Sequence, residues 1–261
     1  MAKKQAAKEL VSTTGQLPDA HRALFEEHKD TFDQSELAIP FIRLLQDLSP
    51  QVKSRDPEYI EGAQPGMILL QSSGQLIDGE KGIDIVPIMK QRSITEWVPR
   101  KEGGGFIADH GNDLSVLEDN PRNEEGKRLT PDGHEIVDAM QYFVLIITDE
   151  GIEQAVLNFG GMSWKAARQW NTFMANTLKV MNGDKRVPSP PTFAGVYNLT
   201  TRPDSNDKGD FFVYNKPAFV GFTSEHDDAD EIFGMCSVIR EGLKSGKIKA
   251  KVDDEKEPWD E

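Results

Sequence analysis

A single cysteine, Cys236, excludes an internal disulfide, and its apolar helical surroundings (Phe233, Ile239) make it a core residue suited to a reducing cytoplasm. No apolar run approaches the ~20 residues of a membrane span, and no signal-peptide core follows the three lysines of residues 1 to 10. Export and membrane insertion are therefore not expected. Catalytic signatures are also missing. There is no Gly-x-Ser-x-Gly elbow, and Gly103-Gly104-Gly105 lacks the Lys-Ser/Thr of a phosphate loop. The five histidines lack metal-ligand spacing. Asp109 beside His110 is the one suggestive acid/base pair, and its plain reading is a solvated loop. The expectation is a protein that is not an enzyme and needs no cofactor or metal.

What is present is β signal and unevenly placed charge. Residues 1 to 17 are small, polar and Lys-rich and read as a mobile arm, after which Asp19 caps a helix to about Phe32. Ile39 to Gln46 reads as a strand, and Met67 to Gln71 and Gln75 to Ile77 as two more separated by Ser72-Ser73-Gly74. Gly82 to Val98 is apolar and β-branched but broken by Pro87, which suggests a bent or bulged strand pair. Residues 101 to 135, rich in Gly, Asp, Asn and Glu, read as a long surface insertion.

Gln141 to Thr148 and Ile152 to Phe159 flank Asp149-Glu150-Gly151 as a hairpin. Ser163 caps a helix expected to reach Met181, with Ala167, Trp170, Met174, Leu178 and Met181 on one stripe and Lys165, Arg168 and Lys179 on another face. Thr192 to Thr201 and Phe211 to Phe222 form a further hairpin, and Ser224 caps a last helix from Glu225 to about Leu243. Short strands around one or two helices predict a β-rich α+β fold, an OB-like small barrel with inserted helices and long loops. The core domain spans 18–248, and residues 249–261 form an acidic tail.

The formal charge of -14 argues against a uniformly basic coat for nucleic acid. Its distribution points the other way. Residues 154–202 carry Lys165, Arg168, Lys179, Lys185, Arg186 and Arg202 against Asp184 alone, a balance of +5, with Trp164 and Tyr197 among them. Residues 85–101 carry Lys90, Arg92, Arg100 and Lys101 against Glu96, a balance of +3, with Trp97. Cations that follow a phosphate backbone, interleaved with aromatic faces on which bases stack, suit sequence-tolerant binding of single strands. The DNA-binding candidates are thus Lys90, Arg92, Trp97, Arg100, Trp164, Lys165, Arg168, Lys179, Lys185, Arg186, Tyr197 and Arg202. Core packing is the competing role for the three aromatics.

The tail, Asp253-Asp254-Glu255-Lys256-Glu257-Pro258-Trp259-Asp260-Glu261, has a balance of -5 over residues 252–261 and can mimic nucleic acid. An arm, a β-rich core with a basic aromatic middle and this tail resemble the single-stranded DNA-binding proteins of lytic phages. That resemblance implies an OB barrel, a role in phage DNA replication or recombination in the host cytoplasm, and single-stranded DNA as ligand. It also implies that Asp253, Asp254, Glu255, Glu257, Trp259, Asp260 and Glu261 recruit a phage DNA polymerase or helicase-primase, with a homodimer left open. Separately, Ile39-Pro-Phe-Ile-Arg-Leu-Leu-Gln-Asp-Leu-Ser-Pro50, Asp56-Pro-Glu-Tyr-Ile-Glu-Gly62, Glu96-Trp-Val-Pro-Arg100 and Asn206-Asp-Lys-Gly-Asp-Phe-Phe212 resemble a broad set of phage proteins mostly without assigned function. A virion structural protein and a strand-annealing recombination protein remain the alternatives.

Overall fold

The longest apolar stretches become the centre of the molecule, because β4 (Ile83–Trp97), β6 (Glu135–Thr148) and β7 (Gly151–Gly160) pair antiparallel over most of their lengths. The computed structural model describes residues 39–149, 151–207 and 209–248; the arm, the helix expected at 19–32 and the acidic tail lie outside them. Val144, Leu145 and Ile146 are buried on both faces of the sheet, which is why β6 reads as a continuous apolar run rather than an alternating one. Thr148 pairs with Gly151, so the expected Asp149-Glu150-Gly151 hairpin forms where the turn residues place it.

Two further strands, β10 (Gly195–Leu199) and β13 (Ala218–Phe222), extend the central sheet in the order β13, β10, β4, β6, β7, and β5 (Phe106–Gly111) pairs the far end of β4. The expected C-terminal hairpin is nested. The outer pair is β10 (Gly195–Leu199) with β13 (Ala218–Phe222), and the inner pair is β11 (Thr201–Asn206) with β12 (Gly209–Tyr214). A small sheet of β1 (Ile42–Leu44), β2 (Ile68–Leu70) and β3 (Leu76–Ile77) adjoins β7 through a parallel bridge between Phe41 and Val156. The hairpin of β8 (Met181–Asn182) and β9 (Lys185–Arg186) stands apart. The fold is β-rich with several antiparallel sheets and few helices. Among the described residues no barrel closes, so the expected OB-like closure gives way to an open central sheet.

Each face of that sheet has its own cover. One face packs Ile85, Tyr142, Leu157, Phe159 and Tyr197 against the β1–β2 sheet and against Ala167, Trp170 and Met174 of the helical segment after β7. The other packs Val86, Phe143, Leu145 and Val196 against Ile232, Cys236 and Ile239 of the C-terminal helix. Cys236 is free and fully buried, and burial pushes its thiol up to about 12. The core role expected for it stands.

The departures from expectation have local causes. Gly82 to Val98 is one strand, not a pair, and the break at Pro87 is a register shift between Pro87 and Met89. The insertion at 101–135 carries regular structure, β5 and helix α1 (Ser115–Asp119), whose Leu117 packs on Ile94 and Ile136. Helix α2 (Trp164–Thr172) follows a 3-10 turn, receives no side-chain cap from Ser163, and continues as a π turn over Phe173–Thr177 instead of reaching Met181. Met181 is 55% exposed rather than part of the core stripe. Helix α3 (Ala229–Lys244) likewise starts later than expected, because Ser224 sits in a separate 3-10 turn. No helix of the described residues is long and apolar enough to cross a membrane.

Candidate nucleic-acid interface

Helix α2 crosses the sheet with Ala166, Ala167 and Trp170 turned inward, so 3.6-residue periodicity puts Lys165 and Arg168 on the outer side, and both are exposed. After the π turn the chain exposes Lys179, then Lys185 and Arg186 in the β8–β9 hairpin. Among the described residues none of these five cations has a carboxylate partner, and neither has Lys90, exposed on β4 opposite Tyr142. Unpaired exposed cations keep their full charge for an external anion.

The remaining sequence candidates are placed differently. Trp97 is only 6% exposed, edge-on to Phe106 at 5.3 Å and donating its indole N–H to Thr95 Oγ1 at 2.8 Å. Tyr197 is fully buried between Trp170 and Phe219, and burial holds its hydroxyl well above the ordinary phenol range. Neither ring can meet a base where it stands. The expectation that they are surface groups is corrected: each lies on the covered face of its strand. Arg92 is committed to Asp138 through two N–H donations of 2.7 Å, and this bond raises its pKa above the ordinary value against the opposing effect of burial. Its guanidinium lies 5.3 Å over the half-buried Trp164 ring, whose Nε1–H donates to the Asp138 carbonyl at 2.8 Å. This trio clamps the start of α2 to β4 and β6. Arg202 is exposed but paired with Asp204 at 3.0 Å. Arg100 opens a 3-10 turn, Arg100–Glu102.

The Asp109 and His110 pair also resolves into something else. His110 Nε2 lies 2.9 Å from Glu96 Oε2, and His134 Nδ1 lies 2.6 Å from Glu96 Oε1, while Asp109 accepts the Gly111 N–H at 2.8 Å. Glu96 thus fastens β5 and the end of the insertion to β4. The His134 bond first, and the His110 bond after burial's opposing effect, hold the Glu96 carboxyl below its usual range. Among the described residues no group of three His, Cys, Asp or Glu side chains is placed to hold a metal ion. A carboxyl with a depressed folded pKa contributes stability that is present above its unfolded value, ~4.3, and is lost as pH falls through the folded value. Glu96→Gln should therefore lower the denaturant midpoint at neutral pH, with the gap to wild type closing on acidification. A gap independent of pH down to complete protonation would show that the carboxylate is not what fastens the insertion.

Aromatic surface is present in other side chains. Near the C-terminal end of α2, Phe173 meets Phe219 of β13 at 5.8 Å, Phe219 meets Phe222 at 5.3 Å, and the Lys216 ammonium lies 5.1 Å over the Phe173 ring. Phe219 is 37% exposed. Phe219 and Lys216 fall outside the basic window of residues 154–202. The uncharged run Pro217 to Phe222 beside a lone lysine was the available signal.

The Pam3 phage gp34-like protein family model matches residues 11–249. No curated protein and no solved structure matches the chain.

Proposed function

We propose, from the premise that this chain belongs to the Pam3 phage gp34-like protein family, that it is a non-enzymatic single-stranded DNA-binding protein acting in phage replication or recombination. The observation that carries this reading is the set of exposed cations with no carboxylate partner among the described residues, Lys165 and Arg168 on α2, Lys179 after the π turn, and Lys185 and Arg186 in the β8–β9 hairpin, in a chain whose formal charge is -14. Such segregation keeps the positive surface on one segment, where a flexible phosphate backbone can follow it. This mode of binding needs a groove and cations, not a closed barrel. Within the same reading, Asp253, Asp254, Glu255, Glu257, Trp259, Asp260 and Glu261, outside the described residues, recruit a phage DNA polymerase or helicase-primase.

Anisotropy of a labelled oligo(dT) at low and high salt tests the proposal directly. Binding should weaken as salt rises, because each neutralised phosphate releases counterions, contributing about 0.7 to the log–log slope for single strands. Changing Lys165 and Arg168 together to Ala should flatten that slope by about 1.4 and leave stability within about 0.5 kcal/mol of wild type, since both side chains are exposed. No binding of oligo(dT) at low salt would end the single-strand reading. Binding with an unaltered slope in the double variant would remove α2 from the interface.

A further inference from the structure

Two irregularities of the backbone converge on one apolar patch. In β13 the register shifts opposite Val196 and Tyr197, leaving Val220 without a partner in the β10 ladder. Consecutive side chains of a regular strand alternate between faces, yet Phe219 and Val220 are both exposed, Val220 at 57%. Facing them, the π turn Phe173–Thr177 carries the Phe173 ring to within 5.8 Å of Phe219. Bulges and π turns weaken local hydrogen bonding and recur where a side chain is re-aimed for function.

The Phe219 ring is held in place. Tyr197 and Phe222 meet it at interplanar angles of 65° and 72°, and Phe173 at 41°. Gly195 passes so close that a Cβ there would stand 3.0 Å from the ring. A ring fixed this way loses little freedom on binding a planar partner. The surrounding charge is one-sided: residues 211–222 contain no acidic side chain and one cation, Lys216, and residues 170–183 contain none either and one cation, Lys179. The bulge interrupts the free edge of β13, which makes it a poor template for adding a strand from a second copy.

Resting on the single-strand reading, we infer that Phe219, backed by Phe173 and Phe222 and flanked by Lys216, is a stacking platform for unpaired nucleobases. The cations of α2 and the β8–β9 hairpin hold the phosphates, and the Phe219 patch supplies the sequence-tolerant base contact.

The test compares oligo(dT) with an abasic strand of equal length, using wild type, Phe219→Leu, which keeps apolar bulk without a flat ring, and Phe219→Trp, which restores one. Wild type should prefer oligo(dT). Phe219→Leu should lose roughly 5- to 150-fold in oligo(dT) affinity, as expected for one stacked base, with an unchanged salt slope and unchanged abasic binding. Phe219→Trp should recover the preference. Equal loss on both ligands, or no loss on either, would overturn the platform while leaving the cation surface and the single-strand reading in place. So would a Phe219→Leu variant that keeps its oligo(dT) affinity but changes from dimer to monomer in sedimentation velocity, which would assign the patch to self-association. Wild type that binds neither strand at low salt defeats the single-strand reading itself, a result distinct from the other three.

Discussion

Trp170→Ala is expected to cost about 3–5 kcal/mol, the range for deleting a buried large aromatic, and to abolish oligo(dT) binding with the fold around α2. Trp170 is fully buried, 4.6 Å from the Tyr142 ring, 5.3 Å from Tyr197 and 6.2 Å from Phe159. Its ring seats the middle of α2 on three strands, β10, β6 and β7, in addition to the Trp164 clamp at the start of the helix. Without it the outward cations Lys165 and Arg168 and the Phe173 ring lose their common support. For a chain of this size the melting temperature should fall by about 10 °C or more. Trp170→Phe is the informative control, because the Trp170 Nε1–H has no hydrogen-bond partner among the described residues, so the change deletes volume and leaves no acceptor among them stranded. It should cost well under half as much. A Trp170→Ala protein that melts within a few degrees of wild type would show that α2 is anchored elsewhere.

The second large effect belongs to Gly79. A Cβ at this buried position would stand 2.0 Å from the Gly66 carbonyl oxygen and 2.0 Å from Thr201 Oγ1. Those two atoms are already joined, Thr201 donating to Gly66 O at 2.6 Å, while the Thr201 N–H donates to Gly79 O at 2.8 Å. The contact ties the start of β11 to the turns flanking β2 and β3; the Gly66 carbonyl is backbone with no side-chain freedom to yield, and the Thr201 hydroxyl could move only by giving up its bond to it. Gly79→Ala should therefore destabilise by about 3 kcal/mol or more, at the upper end of overpacking costs. Gly234→Ala, on an exposed turn of α3 with open space around the new methyl, should be neutral or stabilising by up to ~1 kcal/mol through helix propensity. Equal denaturation midpoints for Gly79→Ala and Gly234→Ala would refute the close approach.

Much of the strand map is legible from pattern because the strands β6 and β7 are dense in Val, Ile, Leu and Phe and are separated by a turn whose residues leave no alternative. Helix α2 is legible from the spacing of Ala167, Trp170 and Met174. Its end is not: the helix passes into a π turn whose Phe173 packs on Tyr197 of β10 and Phe219 of β13, residues outside the window in which a helical period can be read, and Met181 is left exposed beyond it. The nesting of β11–β12 inside β10–β13 is equally invisible to a local reading, which merges both pairs into one hairpin around residues 203 to 209.

The candidate site divides along the same line. Net charge and the clustering of Lys165, Arg168, Lys179, Lys185 and Arg186 are properties of the chain itself, and their exposure follows from how costly an unpaired cation is to bury. Aromatic side chains carry no such constraint: Trp97, Tyr197 and Phe219 fit a core or a surface equally well. Only the tertiary structure chose, by the register of β4 and β10 and by the bulge in β13, which buries the first two rings and turns the third outward. The pairing of Arg92 with Asp138 and of Glu96 with two histidines was likewise decided by strand register, because partners 14 to 46 residues apart meet only once the sheet is formed.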